Sequence, residues 1–168
     1  MDYKTSTIAQ YKLPTWIIVW LIFGMSVNFW DALYILLRPS SFADGPLGWI
    51  WIPYAKYVTI DPSYLDLNND FIKSIALMNF VEIALGSIAI WWSFHRRTSL
   101  AALLAFSSLL LTGTKTALVF ALEAADSFVH IGHNSASDLI LLYALPNSLW
   151  LVFPLLGVIN LGRYLTRG

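Results

Sequence analysis

Four stretches of this chain are apolar over a length that no water-soluble fold of its size accommodates. They run from Thr15 to Leu37, Phe71 to Phe94, Leu100 to Leu122 and Leu139 to Leu161. A bilayer core needs about 20 apolar residues in a helix, and each stretch meets that length. The sequence therefore predicts an all-α membrane protein, a four-transmembrane-helix bundle formed by one domain over residues 1–168. No fixed-period repeat and no separate soluble domain is evident. The first stretch reads as a retained helix rather than a signal peptide. Its apolar run is long, and Arg38 and Pro39 follow it instead of a small-residue cleavage site.

Composition narrows the function classes. Residues are 58% hydrophobic and only 12% charged, and ten Lys plus Arg balance ten Asp plus Glu. A soluble domain carries about 25% charged residues. Zero net charge argues against a basic nucleic-acid binder. The absence of cysteine removes disulfides, thiolate nucleophiles and thiolate metal sites. No phosphate loop, dinucleotide fingerprint, GxSxG elbow or GxxxG pair is present, so no cofactor is expected. Lys4, Lys12, Arg96, Arg97, Arg163 and Arg167 fall on one side of the four spans, and Arg38, Lys56 and Lys73 on the other. The positive-inside rule then places both termini in the cytoplasm.

The first loop, from about Arg38 to Asp70, is long and aromatic. Trp49, Trp51, Tyr54, Tyr57 and Tyr64 suit a belt at headgroup level, with a short interfacial helix between Pro46 and Pro53. The sharper alternative is a lid over a membrane-facing cavity.

Polar residues inside the spans carry the functional reading. A charge at mid-membrane costs roughly 2.5–3.5 kcal/mol on insertion scales, so it needs a partner and a reason. Asn28 and Asp31 share a helical face in the first span, and Asn79 and Glu82 repeat the spacing in the second. Lys115 lies inside the third span and Glu123 near its end. Asn147 and Trp150 share a face of the fourth. Interhelical clasps, worth about 0.6 kcal/mol each on average, are the simpler account. Two acids, one base and three asparagines exceed what clasping requires, and they point to a pocket. Lys115 is expected to neutralise Asp31 or Glu82. His130 and His133 have metal-compatible spacing, but they lie in a loop with no third strong ligand evident, so no metal is expected.

Several segments together resemble the emopamil-binding protein family, which carries the EXPERA domain. They are WDALYILLRP, YAKYVTIDPSYL, NDFIKSIALMNFVE and LPNSLWLVFPLLGV. The family includes sterol double-bond isomerases and the sigma-two receptor. The resemblance implies a cupped bundle in the endoplasmic reticulum membrane that takes a lipophilic substrate from the surrounding lipid. In the isomerases a membrane acid protonates an alkene, and a base removes a different proton from the carbocation. Asn147 and Trp150 match the family's last helix, and Asp31 matches the acid of its first. Val27 and Asn28 stand where the isomerases carry a histidine. Asn79 aligns with the second-helix glutamate, and Glu82 lies one turn deeper. Lys115 has no counterpart.

The resulting expectation is a diverged, cofactor-independent isomerase or cyclase. It would protonate an alkene or epoxide of a terpenoid, meroterpenoid or sterol. In a dry site burial favours a neutral carboxyl and a nearby cation favours a carboxylate, so two acids with different neighbours take different roles. Asp31 or Glu82 would donate the proton, and the other, held by Lys115 or an asparagine, would be the anion or base. Trp30 and Trp150 would shield the cation with their π faces. Asn28, Asn79, Glu123 and Asn147 would complete the binding set. The rival expectation is a non-catalytic protein of the sigma-two type that binds sterols or lipophilic amines or traffics a partner. A channel fits poorly, because no polar stripe suited to conduction is present. The sequence leaves monomer and homodimer open.

Overall fold

The computed structural model describes residues 12–95 and 99–166. Four helices in it are long and apolar enough to cross a membrane. They are α1 (Thr15–Leu36), α3 (Asp70–His95), α4 (Ser99–Ala125) and α5 (Ala136–Leu165). The short α2 (Tyr54–Ile60) lies in the first loop. Each observed span agrees with the expected one to within a few residues at either end. Lys4, Arg96, Arg97 and Arg167, which carry much of the orientation argument, lie outside the described residues.

The polarity of the bundle is reversed relative to a soluble one. Large apolar side chains such as Val19, Ile22, Leu77, Trp91, Leu118 and Ile140 are exposed on the outer faces. Asn28, Asn79, Glu82, Ser93, Ser108, Thr112, Thr116 and Glu123 are buried. Helices that are apolar all round need a nonpolar solvent, and lipid supplies it. Buried hydroxyls hold the helices together where lipid offers no partner. Ser108 donates to the Glu82 carbonyl across α3 and α4, and the Leu13 N–H bonds the Ser93 hydroxyl.

The helices follow one another around the bundle: α1 packs on α3, α3 on α4, and α4 on α5. Small residues allow the close approaches. Gly86 on α3 faces Met25 and Ser108, and a β-carbon there would come within 2.6 Å of the Met25 sulfur. Gly86→Ile is therefore expected to cost about 1–3 kcal/mol through overpacking. Thermal unfolding in detergent micelles measures the loss.

The ring closes unevenly. Contact between α1 and α5 is sparse. One end of that seam is filled by aromatic rings, with Trp20 stacked on Phe153 at 4.4 Å and edge-on to Trp150 at 5.6 Å. Toward the first loop the seam widens into a cavity.

The first loop is fastened across that end. Arg38 donates to the carbonyls of Tyr64 and Asp66, 3.0 and 2.9 Å away. The Trp51 indole donates to the Trp30 carbonyl, and the Trp30 indole donates to the Ile50 carbonyl. Between Pro46 and Pro53 the chain forms one 3-10 turn, Gly48–Trp51. The regular helix of the loop, α2, begins only after Pro53. Trp49 is exposed, whereas Trp51 is buried against Tyr34.

α5 starts irregularly. Residues Leu139–Ala144 are π-helical, and the α-helical run begins at Leu145. Pro146 has no N–H to give the carbonyl four residues earlier, which loosens the hydrogen-bond register there. The Asn147 side chain donates instead to the Tyr143 carbonyl at 2.8 Å.

Candidate active site

The cavity between the widened seam and α2 has a volume of about 530 Å³. Its polar wall comes from every layer: Asn28 and Asp31 from α1, Asn79 from α3, Lys115 and Thr116 from α4, and Asn147 and Trp150 from α5. Tyr54, Lys56, Tyr57, Asp61 and Tyr64 close it from the first loop, and Val27, Ile72, Ile75, Val119 and Leu142 supply apolar surface. The loop thus borders the cavity, and three of its tyrosines turn inward.

Two same-face pairs expected from spacing are interlocked. The Asn28 side chain donates to Glu82 Oε2 at 3.2 Å, while Asn79 Nδ2 donates to the Asn28 carbonyl and reaches Asp31 Oδ2 at 3.4 Å. α1 and α3 are therefore cross-bonded, each asparagine serving the acid on the other helix. Trp150 Nε1 donates to Asn28 Oδ1 at 2.7 Å, which fixes the indole against the cavity wall.

The two acids have different surroundings. Glu82 is fully buried beneath the cavity floor and does not line it. Its Oε1 lies 2.8 Å from Lys115 Nζ, and its Oε2 also accepts from the Thr112 hydroxyl at 2.8 Å. Lys115 therefore pairs with Glu82, not with Asp31. Its ammonium also donates to Asn79 Oδ1. That bond orients the amide so that its NH2 group faces Asp31 and the Asn28 carbonyl.

Asp31 faces the cavity. Its Oδ1 accepts from the hydroxyls of Tyr54, at 2.5 Å, and Tyr64, at 3.3 Å. Tyr54, Tyr57 and Tyr64 all have pKa values pushed up, chiefly by burial and then by neighbouring carboxylates. They remain hydroxyl donors at any physiological pH.

Three expected site residues are placed away from the cavity wall. Glu82 lies one layer below. Trp30 packs edge-on to Tyr54 under the loop and does not line the cavity. Glu123 is buried at the end of α4, where His130 Nδ1 lies 2.7 Å from its Oε1. His133 instead bonds the Thr59 carbonyl. No group of three His, Asp or Glu side chains suited to a metal ion exists among the described residues.

Asp61 was not singled out by spacing, yet it is buried and lines the cavity. The Asp-Pro-Ser sequence folds it there: its carboxylate accepts from the Ser63 N–H and hydroxyl, and Pro62 starts a 3-10 turn. Burial is the main cause raising the Asp61 carboxyl above the usual range. Bonds from Ser63 pull it down, Glu123 pushes it up and His130 lowers it. A raised folded-state carboxyl binds protons more tightly than the unfolded chain. Its stability penalty is absent below the ordinary value of 3.8 and grows as pH rises through the folded-state value. Asp61→Asn is therefore expected to raise the melting temperature relative to wild type at neutral pH. The difference should close as the pH falls toward the ordinary carboxylate range, which melting curves across pH measure directly.

No family model matches the chain, and comparison with curated proteins and with solved structures gave no match either.

Proposed function

We propose that this protein is a membrane-embedded acid–base enzyme that takes a lipophilic terpenoid or sterol from the bilayer. It protonates an alkene or epoxide and directs the carbocation to isomerisation or cyclisation. The observation that carries this reading is Asp31 itself: a carboxyl at membrane depth, facing a cavity of about 530 Å³, with two tyrosine hydroxyls on one oxygen and no lysine paired to it.

In this mechanism Asp31 enters the cycle protonated. Oδ1 is occupied by Tyr54 and Tyr64, so the proton sits on Oδ2, which has one long contact from Asn79. The acid delivers that proton to an alkene carbon, or to an epoxide oxygen whose C–O bond then breaks. The cation rests against the indole of Trp150, held in place by Asn28. Such a contact is worth about 2 kcal/mol or more when desolvated. The Asp31 carboxylate then removes a proton from a neighbouring carbon, giving an isomer. Where an internal alkene or hydroxyl attacks first, the product is a ring. Lys115 and Glu82 form a neutral pair below, and Lys115 positions Asn79. Water exclusion by the tyrosine lid keeps the cation from being hydrated.

The resemblance to the emopamil-binding protein family supports this chemistry, a diverged substrate and residence in the endoplasmic reticulum membrane. The same unpaired carboxyl favours a second reading, a binding protein for sterols or lipophilic amines, with Asp31 as counter-ion to the amine. Purified protein offered a panel of sterols, polyprenols and their epoxides, with products resolved by mass spectrometry, separates the two. New products that vanish with Asp31→Asn support the enzyme. Tight binding of a lipophilic amine that depends on Asp31, with no product from any substrate, supports the binder.

A further inference from the structure

The aromatic end of the α1–α5 seam plays no part in the chemistry above. Trp20, Gly24, Asn28 and Asp31 are spaced by four, four and three residues along α1, so they form one stripe. Asn147, Trp150 and Phe153 form the facing stripe on α5. Toward the first loop both stripes are polar, and Asn28, Asp31, Asn147 and Trp150 line the cavity. Further along the seam both stripes turn aromatic. Trp20 lies eight residues before Asn28, about 12 Å along the helix axis.

Trp150 is the ring that ends the cavity on this side. Its bond to Asn28 Oδ1, at 2.7 Å, holds it in place. Trp20 backs it edge-on at 5.6 Å and stacks on Phe153 at 4.4 Å. Trp20 is itself buried and does not line the cavity. Phe23 and Phe153 touch these indoles and are 49% and 37% exposed, which places them on the lipid side. The Trp20 ring leans along α1 toward the cavity, over Gly24. A β-carbon at Gly24 would lie 3.9 Å from two indole atoms of Trp20 and would meet no atom of another helix within 4 Å. Trp20 is thus the side chain that fills the stripe at Gly24. One turn further on, Ile17 is fully buried in the same core as Leu161.

We propose that Trp20 is the length stop of the cavity: the apolar tail of the substrate ends against Trp150, and Trp20 behind it decides how long a tail fits. The substrate class this implies is a linear isoprenoid, with its reacting end at Asp31 and its tail in the α1–α5 seam. Without the Trp20 ring, the space over Gly24 joins the cavity, and Phe23 and Phe153 still border it on the lipid side. A longer tail then fits without drawing the reacting end away from Asp31. Lipid is as apolar as the pocket, so a tail gains little by leaving it. Selection by length therefore comes from shape, because a tail that overruns the stop has to displace packed rings. The role rests on the reading of the cavity as a site for a lipophilic substrate, and on no particular reaction there.

The test measures binding and needs no turnover. Calorimetry on the full chain in micelles gives dissociation constants for a ladder of prenols, from geraniol through farnesol and geranylgeraniol to longer polyprenols. Wild-type affinity is expected to drop at least about tenfold at one step of this ladder. In Trp20→Ala the drop is expected one isoprene unit later, and in Gly24→Leu one unit earlier, with shorter prenols bound as in wild type. A merely structural tryptophan would instead weaken every prenol alike. Trp20→Leu, which removes the ring and keeps an apolar side chain in the core, serves if the alanine variant does not fold. A drop that stays at the same step in the folded variants overturns the proposal, as does a wild type that binds no prenol or shows no drop. A drop that moves in a protein that turns over no substrate leaves the stop standing and removes only the enzyme reading.

Discussion

Replacing Lys115 by methionine is expected to destabilise the protein by about 3–5 kcal/mol, the cost of leaving a buried charge without its partner. The side chains of Lys115 and Glu82 are 10% and 1% exposed, and their charged atoms are 2.8 Å apart. Without the ammonium, the Glu82 carboxylate keeps only Asn28 and Thr112. Asn79 also loses the bond that orients its amide. Adding Glu82→Gln to Lys115→Met should recover most of the loss, since a neutral amide retains the Asn28 and Thr112 contacts and carries no uncompensated charge. A denaturation cycle over the four proteins in detergent gives the coupling energy. A loss below about 1 kcal/mol for Lys115→Met would be that of a solvent-exposed pair and would contradict this placement.

The second large effect concerns chemistry rather than folding. Asp31→Asn is expected to lower turnover by about 10²–10⁴-fold, the range for removing a positioned acid. Asparagine keeps the shape of the side chain and an oxygen that accepts from Tyr54 and Tyr64, so the fold should be little affected. Glu82→Gln should behave in the opposite way. It leaves Lys115 unpaired and lowers stability, while turnover per folded molecule falls far less, because Glu82 does not touch the cavity. Rate measured against the folded fraction separates the reacting acid from the buried counter-ion.

The spans were legible because a helix that is apolar all round has no alternative but lipid. The same-face pairs Asn28/Asp31 and Asn79/Glu82 were legible because helical spacing fixes them. Which acid Lys115 chooses was not, since the choice depends on how deep α4 sits against α3. The arrangement of the first loop was only partly legible. The first loop has no periodicity, and spacing cannot tell the buried Trp51 from the exposed Trp49. What turns Tyr54, Tyr57 and Tyr64 inward is a set of long-range bonds, Arg38 to Tyr64 and Asp66 and Trp51 to Trp30. Asp61 belongs to the same difficulty. The Asp-Pro-Ser turn is readable, but the cavity it faces is built from all four spans. The Glu123–His130 pair depends on a reversal at Ser127 and Phe128, two residues that seldom take positive φ.

Turnover in heavy water tests the central claim most directly. If Asp31 delivers a solvent-derived proton to carbon, and a different hydrogen is then lost, each product molecule gains one deuteron at a non-exchangeable carbon. Wild-type protein equilibrated in D2O and held in excess over an alkene substrate from the panel, so that each Asp31 turns over once, should give product one mass unit heavier, and Asp31→Asn should give none. Product without label, or no product from any substrate by a folded protein that still binds lipophilic amines through Asp31, would contradict acid-initiated catalysis in this cavity.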